Sequence, residues 1–126
     1  MIVGIGSDIA RIERFKRAVK RHGPRFAQRI LGPEEHAVWL QKAQPAAFLA
    51  KRFAAKEAFV KALGLGLRAG MQWGEIQVLN DGLGKPYLVV EGKAERLLLE
   101  AGVTASHITL SDEAEYAVAF VVLERA

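Results

Sequence analysis

The chain contains no cysteine, which excludes disulfide bonds, thiolate metal sites and cysteine nucleophiles. It has no apolar run near the roughly 20 residues that a membrane-spanning helix needs. The eight apolar residues at 116–123 suit a buried strand instead. The opening Met-Ile-Val-Gly-Ile-Gly-Ser-Asp lacks the basic start and long apolar core of a secretory signal. These absences lead to the expectation of a cytoplasmic protein without membrane association. Proline occurs only four times, at 24, 33, 45 and 86, where it marks breaks, a helix start and a turn. Acids are scarce in one region: from 11 to 29 stand Arg11, Arg14, Lys16, Arg17, Lys20, Arg21, Arg25 and Arg29 against Glu13 alone.

What is present describes a folded domain. A hydrophobic content of 51% with 25% charged residues belongs to a globular chain and not a disordered one. The 126 residues are expected to form one domain, 1–126, long enough for a real core. The net charge of +4 suggests an acidic partner: nucleic acid, a phosphorylated small molecule or an acidic protein.

The segment 49–66 reads as a long helix, rich in Ala, Leu, Lys and Glu and stopped by Gly64 and Gly66. Phe48, Ala55, Phe59 and Ala62 form one apolar stripe, which Phe53, Val60 and Leu63 widen, so the helix is expected to be largely buried. Glu57 and Lys61 lie four apart among the small side chains of Ala50, Ala54 and Ala58. A carboxylate there needs a partner. Two readings are open, a Glu57–Lys61 helix ion pair or a site that something approaches past the alanines.

Before this helix, 2–5 reads as a short strand closed by Gly6 and Ser7, and a helix is expected from Ile9 onward. Asp8 then stands at the join, as a turn residue or helix N-cap, or as a metal ligand where glycines let a ligand come close. In the helix, Ile9, Ile12, Phe15 and Val19 face the core, while Arg14, Arg17 and Arg21 share a ridge on the other side. That ridge is either a solvated face or a docking surface for an acidic protein, and the excess of bases favours the second. Short helices follow at 26–31 and from Pro33. His36 and Trp39 read as packing or surface residues. Strands are expected at 76–79, 87–90, 107–111 and 116–123, with a helix at 92–101. The class is α+β: a helical first half and an antiparallel sheet that 2–5 joins.

His107 reads as a strand residue bonded locally and His22 as part of the basic run. Ser111, His107 and Asp8 do not form a supported triad, because no nucleophile-elbow sequence is present. The lone acids Asp8 and Glu57, with Arg52, Lys56 and Lys61 on one helix, are suitable ingredients for magnesium and a phosphate substrate. The glycines at 64–70 are able to approach phosphate or simply stop the helix, and no Walker pattern is present.

Two motifs then carry a resemblance: Gly-Ile-Gly-Ser-Asp-Ile-Ala-Arg-Ile-Glu-Arg at 4–14, and Arg-Phe-Ala-Ala-Lys-Glu-Ala-Phe-Val-Lys-Ala-Leu-Gly at 52–64. With Gly-Lys-Pro-Tyr at 84–87 and Tyr-Ala-Val-Ala-Phe-Val-Val at 116–122, the chain resembles the holo-acyl-carrier-protein synthases, the short bacterial type of 4′-phosphopantetheinyl transferase. The resemblance implies a fold in which an antiparallel-rich sheet wraps a long central helix. It implies that a serine of apo acyl carrier protein takes the phosphopantetheine arm of coenzyme A, releasing adenosine 3′,5′-bisphosphate, as a step serving fatty acid biosynthesis. Asp8 and Glu57 match the acids that bind magnesium (Mg2+), and Lys61 matches a lysine that meets the phosphates, so these three form the implied catalytic set. A metal-bound water is favoured over Glu57 as acceptor of the serine proton. Arg52 matches a position near the adenosine 3′-phosphate, Pro86 lies in the turn bordering the nucleotide, and Lys56 and Gly64 complete the implied coenzyme A contacts. Arg14, Arg17, Arg21 and Arg25 resemble the surface that grips the acidic carrier. A homotrimer with sites between subunits is implied. Where many relatives have a histidine after Ser111, this chain has Asp112, read as a turn residue. The competing readings are a basic nucleic-acid-binding domain and a non-catalytic module that holds an acidic protein; no RNP, KH or zinc-finger pattern supports the first.

Overall fold

The computed structural model describes residues 1–64 and 70–126. The elements run β1 (Ile2–Arg11), α1 (Ile12–His22), α2 (Pro24–Ile30), α3 (Pro33–Trp39), α4 (Pro45–Leu63), a 3-10 turn (Trp73–Glu75), β2 (Ile76–Asn80), β3 (Pro86–Val90), α5 (Gly92–Glu100), β4 (Ala105–Glu113) and β5 (Tyr116–Glu124). The expected α+β class holds, with helices early and antiparallel strands late. The strands form two sheets rather than one: β1-β5-β4 with β5 in the middle, and a separate β2-β3 hairpin.

The central helix α4 begins at Pro45, a first-turn position that suits proline. It ends at Gly64, whose left-handed φ of 80° lets its N–H turn back to the Lys61 carbonyl. Its alanines do not leave a path for a ligand. Ala50, Ala54 and Ala58 are fully buried, and the sheet approaches there. A Cβ on Gly4 would lie 1.9 Å from the Ala62 carbonyl oxygen, and one on Gly6 2.0 Å from that of Ala58. The glycines of β1 therefore admit a helix backbone, not a substrate, and this contact sets the height of Asp8 against α4.

β1 is longer than its sequence suggests. It pairs with β5 from Ile2 opposite Glu124 to Arg11 opposite Tyr116, which places Asp8 within the strand opposite Ala119. Asp8 is thus neither a turn residue nor an N-cap, and the helix starts at Ile12. Ile9, expected in the core, points outward and is 61% exposed. The long apolar β5 supplies a ladder partner for every residue from Gly4 to Arg11, and that pairing outweighs local helical preference. The same ladder carries β4 past its expected end: Asp112 lies opposite Ala117 in the sheet, and the turn shrinks to Ala114 and Glu115.

Helix α1 packs on α4 through an aromatic contact, Phe15 against Phe53 at 5.6 Å between ring centroids, with Phe26 at 5.9 Å from Phe15. Phe53 also meets Trp73 edge-on at 5.3 Å. This packing fixes the basic helix beside the middle of α4. Below it lies a buried ion pair, Lys56 Nζ to Glu35 Oε1 at 2.6 Å, with both side chains wholly buried. Lys56 also donates to the Ile30 and Trp73 carbonyls, and Glu35 accepts from the Val78 and Gly32 N–H groups at 2.8 and 3.0 Å. Every charge in the pair is met, which is the condition for tolerating it inside a core.

Candidate active site

Asp8 projects from β1 toward α4, where the Lys61 ammonium donates to its Oδ1 at 3.1 Å and to the Ser7 carbonyl at 3.1 Å. Lys61 thus pairs across to the strand, and the alternative Glu57–Lys61 helix pair does not form. Glu57 lies one helical turn earlier, near enough for the charges of Asp8 and Lys61 to act on it. Its pKa is raised above the ordinary glutamate value, first by partial burial and next by the negative charge of Asp8, against the opposing pull of Lys61 and Arg14. Groups from three elements therefore share one electrostatic site: Asp8 of β1, Arg14 of α1, and Glu57 and Lys61 of α4.

The Asp8 charge disfavours ionisation of Glu57, and two carboxylates so placed are a donor set suited to a cation. Among the described residues no cluster of three or more His, Asp or Glu side chains forms. An enclosed cage of protein ligands is therefore not built here. Magnesium asks for less, one or two carboxylates with water and substrate phosphates filling its remaining positions. Asp8 and Glu57 fit that requirement.

A second region lies on the far part of α4. A groove of about 850 Å³ is lined by Phe48, Lys51, Arg52, Asn80 and Tyr87 among others. Arg52, only 5% exposed, donates to Asn80 Oδ1 at 2.5 Å and stacks on the Phe48 ring at 4.1 Å. Its buried Nε has no partner. Burial lowers the Arg52 pKa, with Glu35 opposing. Pro86 opens β3 opposite Asn80, and its neighbours Gly84 and Tyr87 line the groove. Gly64 caps α4 at an exposed position. The remaining glycine-rich residues, 65–69, lie outside the described residues.

Lys56 does not join either region. Its ammonium is enclosed by Glu35, Ile30 and Trp73 and has no exposure, so the expected contact with coenzyme A is replaced by a structural role. Burial lowers its pKa, and Glu35 opposes that shift. Asp112 is likewise no turn residue: it forms an ion pair with Lys51 at 3.0 Å. His107 meets Glu124 Oε1 at 3.0 Å on the neighbouring strand, a local contact as expected.

The basic ridge is present. Arg14, Arg17 and Arg21 line a surface groove of about 570 Å³ with Arg11 and His22. Arg14 lies over the Phe15 and Phe53 rings at 5.4 and 5.7 Å, and Arg17 meets Glu13 at 3.5 Å. Arg25, on α2, is exposed but does not line this groove. Reasoning from sequence missed Lys51, Asn80 and the aromatic pair Phe48 and Tyr87 as groove residues. The Arg52–Asn80 bond spans 28 positions, and no local spacing announces it.

A long α4 is thus seated on a glycine-bearing β1, with two carboxylates and a lysine at the seam. The 4′-phosphopantetheinyl transferase superfamily matches residues 4–121, and the chain belongs to that family. It is 48% identical, over 98% of both chains, to the holo-[acyl-carrier-protein] synthase of Yersinia pestis. The crystal structure of the holo-[acyl-carrier-protein] synthase of Neisseria meningitidis superposes with a TM-score of 0.93 at 43% identity, over 99% of this chain and 100% of that one. A Bacillus anthracis holo-(acyl-carrier-protein) synthase in complex with CoA (3′,5′-ADP) gives a TM-score of 0.82 at 36% identity, over 100% and 99%.

Proposed function

We propose that the protein transfers the 4′-phosphopantetheine arm of coenzyme A to a serine of apo acyl carrier protein. The observation that carries this reading is the convergence of Asp8, Glu57 and Lys61 across the β1–α4 seam, beside a cationic helix. The serine hydroxyl attacks the phosphorus that bears pantetheine, the bond to the bridging oxygen breaks, and adenosine 3′,5′-bisphosphate leaves. Asp8 and Glu57 hold magnesium, which neutralises charge on the diphosphate when bound. Lys61, already aimed between the two acids' elements, meets the phosphate oxygens and offsets charge that grows on the leaving group. The serine proton passes to a water beside the carboxylates, because a carboxylate committed to a cation is a poor base.

Arg52 and the groove around it receive the adenosine end, with Pro86 and its turn as one border. Arg14, Arg17 and Arg21, with Arg25 alongside, hold the acidic carrier. The groove's lining does not include Asp8, Glu57 or Lys61, so one chain offers the two ends of coenzyme A separate surfaces. Ile5, Ile9, Val118 and Phe120 are 63%, 61%, 38% and 46% exposed, and they lie together on the outward face of β1 and β5. Such an apolar patch belongs under a partner. A homotrimer of single-domain chains covers it and brings one chain's groove to its neighbour's carboxylates. Among the described residues no helix is long and apolar enough to cross a membrane, in keeping with action in the cytoplasm on a carrier of fatty acid biosynthesis.

The test is to weigh apo carrier protein after incubation with the enzyme, coenzyme A and magnesium. The carrier gains one phosphopantetheine, and chelator, Asp8→Ala or Glu57→Ala abolishes the gain. A carrier that binds tightly but never gains mass would leave a non-catalytic binding module instead.

A further inference from the structure

The Lys51–Asp112 pair stands at the edge of the large groove, next to Arg52, and both residues line it. The side chains are 28% and 37% exposed, and an ion pair so open to water contributes little to stability. Its place is more informative than its strength. Arg52 is largely committed, with one nitrogen on Asn80 and its plane on Phe48. Lys42 also lies over this ring, at 5.7 Å. Lys51 is the cation with donors to spare: an ammonium carries three N–H groups, and Asp112 accepts at one short distance, 3.0 Å. A flexible lysine ordinarily samples many rotamers, and a fixed acceptor on β4 removes that freedom before any ligand arrives.

We propose that Lys51, aimed by Asp112, reads the phosphate monoester on the ribose of the nucleotide, so that the enzyme takes coenzyme A in preference to its 3′-dephosphorylated analogue. This rests on the reading of the groove as the adenosine site. A phosphate monoester carries close to two charges and three strong acceptor oxygens. Arg52, with its unpartnered buried Nε, and Lys51 supply charge from adjacent positions of α4. Asp112 acts as a positioning residue through Lys51 and does not touch the ligand. Its negative charge near a phosphate is unfavourable by itself, so the two roles predict opposite outcomes when the charge is removed.

The experiment measures kcat/KM with coenzyme A and with 3′-dephospho-coenzyme A, and takes their ratio. Lys51→Met lowers the ratio by about tenfold, through the KM for coenzyme A, as expected for a lost charge-assisted hydrogen bond. Lys51→Arg keeps most of it. Asp112→Asn lowers the ratio in the same direction, and the double variant Lys51→Met with Asp112→Asn is no worse than Lys51→Met alone. Thermal melting checks that each variant is folded, which half-exposed positions favour. A ratio unchanged in Lys51→Met, or raised in Asp112→Asn, overturns the inference. Calorimetric binding of adenosine 3′,5′-bisphosphate separates the two levels of the argument. If Arg52→Met weakens it and Lys51→Met does not, the inference alone fails. If neither weakens it, the groove is not the adenosine site.

Discussion

Lys61 reaches from α4 across to Asp8 on β1, at 3.1 Å, instead of along its own helix to Glu57. The lysine therefore ties strand to helix close to Glu57, whose ionisation the Asp8 charge disfavours. Its ammonium offsets part of the negative charge that Asp8 brings to the seam. The site depends on how closely β1 and α4 approach, and that distance is set by atoms that are missing from Gly4 and Gly6.

Gly6→Ala tests this directly. The added Cβ would fall 2.0 Å from the Ala58 carbonyl oxygen, a backbone atom that cannot swing aside. Strand and helix must separate, at a cost of about 1–3 kcal/mol, the usual range for overpacking. Chemical unfolding measures the loss. Because the shift parts Asp8 from Glu57, activity at a temperature where the variant is still folded falls further than the population of folded protein does.

The raised pKa of Glu57 gives a second test, made without metal. Burial and the Asp8 charge both disfavour its ionised form, so the folded state holds a proton that the unfolded chain has already lost. Stability therefore declines as pH rises from the ordinary glutamate range through the raised value, and it is recovered on acidification. Carbon-detected NMR titration of the Glu57 carboxyl should show a midpoint above an ordinary glutamate. In Asp8→Asn the midpoint moves down, since one of its two causes is gone, while the part due to burial persists.

Lys56→Met leaves the Glu35 carboxyl enclosed without its cation. Breaking a buried pair in this way costs about 3–5 kcal/mol, readable as a lower unfolding midpoint. At temperatures where the variant is folded, its affinity for coenzyme A stays near that of the parent, because the ammonium never faces the ligand. A large loss of coenzyme A affinity in a well-folded variant would restore Lys56 to the binding site.

Charge reversal on the ridge separates the carrier from the nucleotide. Arg17→Glu and Arg21→Glu raise the KM for acyl carrier protein by tenfold or so, in line with the ~1.4 kcal/mol that a tenfold change represents. Added salt weakens the parent's binding and so narrows the difference. Affinity for coenzyme A is unchanged. Arg14 is a less clean probe, because its charge also lowers the pKa of Glu57.

Much of this was legible in the sequence for a simple reason: Asp8 and Glu57 are lone acids inside apolar segments, and lone acids there need a purpose. The long helix and the basic ridge were equally plain, since each is a local periodic pattern. The extent of β1 was not. Residues 9–11 are compatible with a helix, and only the ladder to β5 decides otherwise. Lys56 was misplaced because it was grouped with Arg52 and Lys61 as cations of one helix, although residues at different positions of a helix point about 100° apart per step. Its true partner, Glu35, lies 21 positions away. Asp112 was read as a turn for a similar reason: the Lys51 that holds it lies on another element.

The central claim is that Asp8 and Glu57 together seat one divalent ion against a diphosphate. Calorimetric titration of magnesium into the protein with coenzyme A bound tests it most directly. The account predicts one ion per site in the parent and at least a tenfold weaker affinity in both Asp8→Asn and Glu57→Gln. Parent-like magnesium affinity in either folded variant would contradict it.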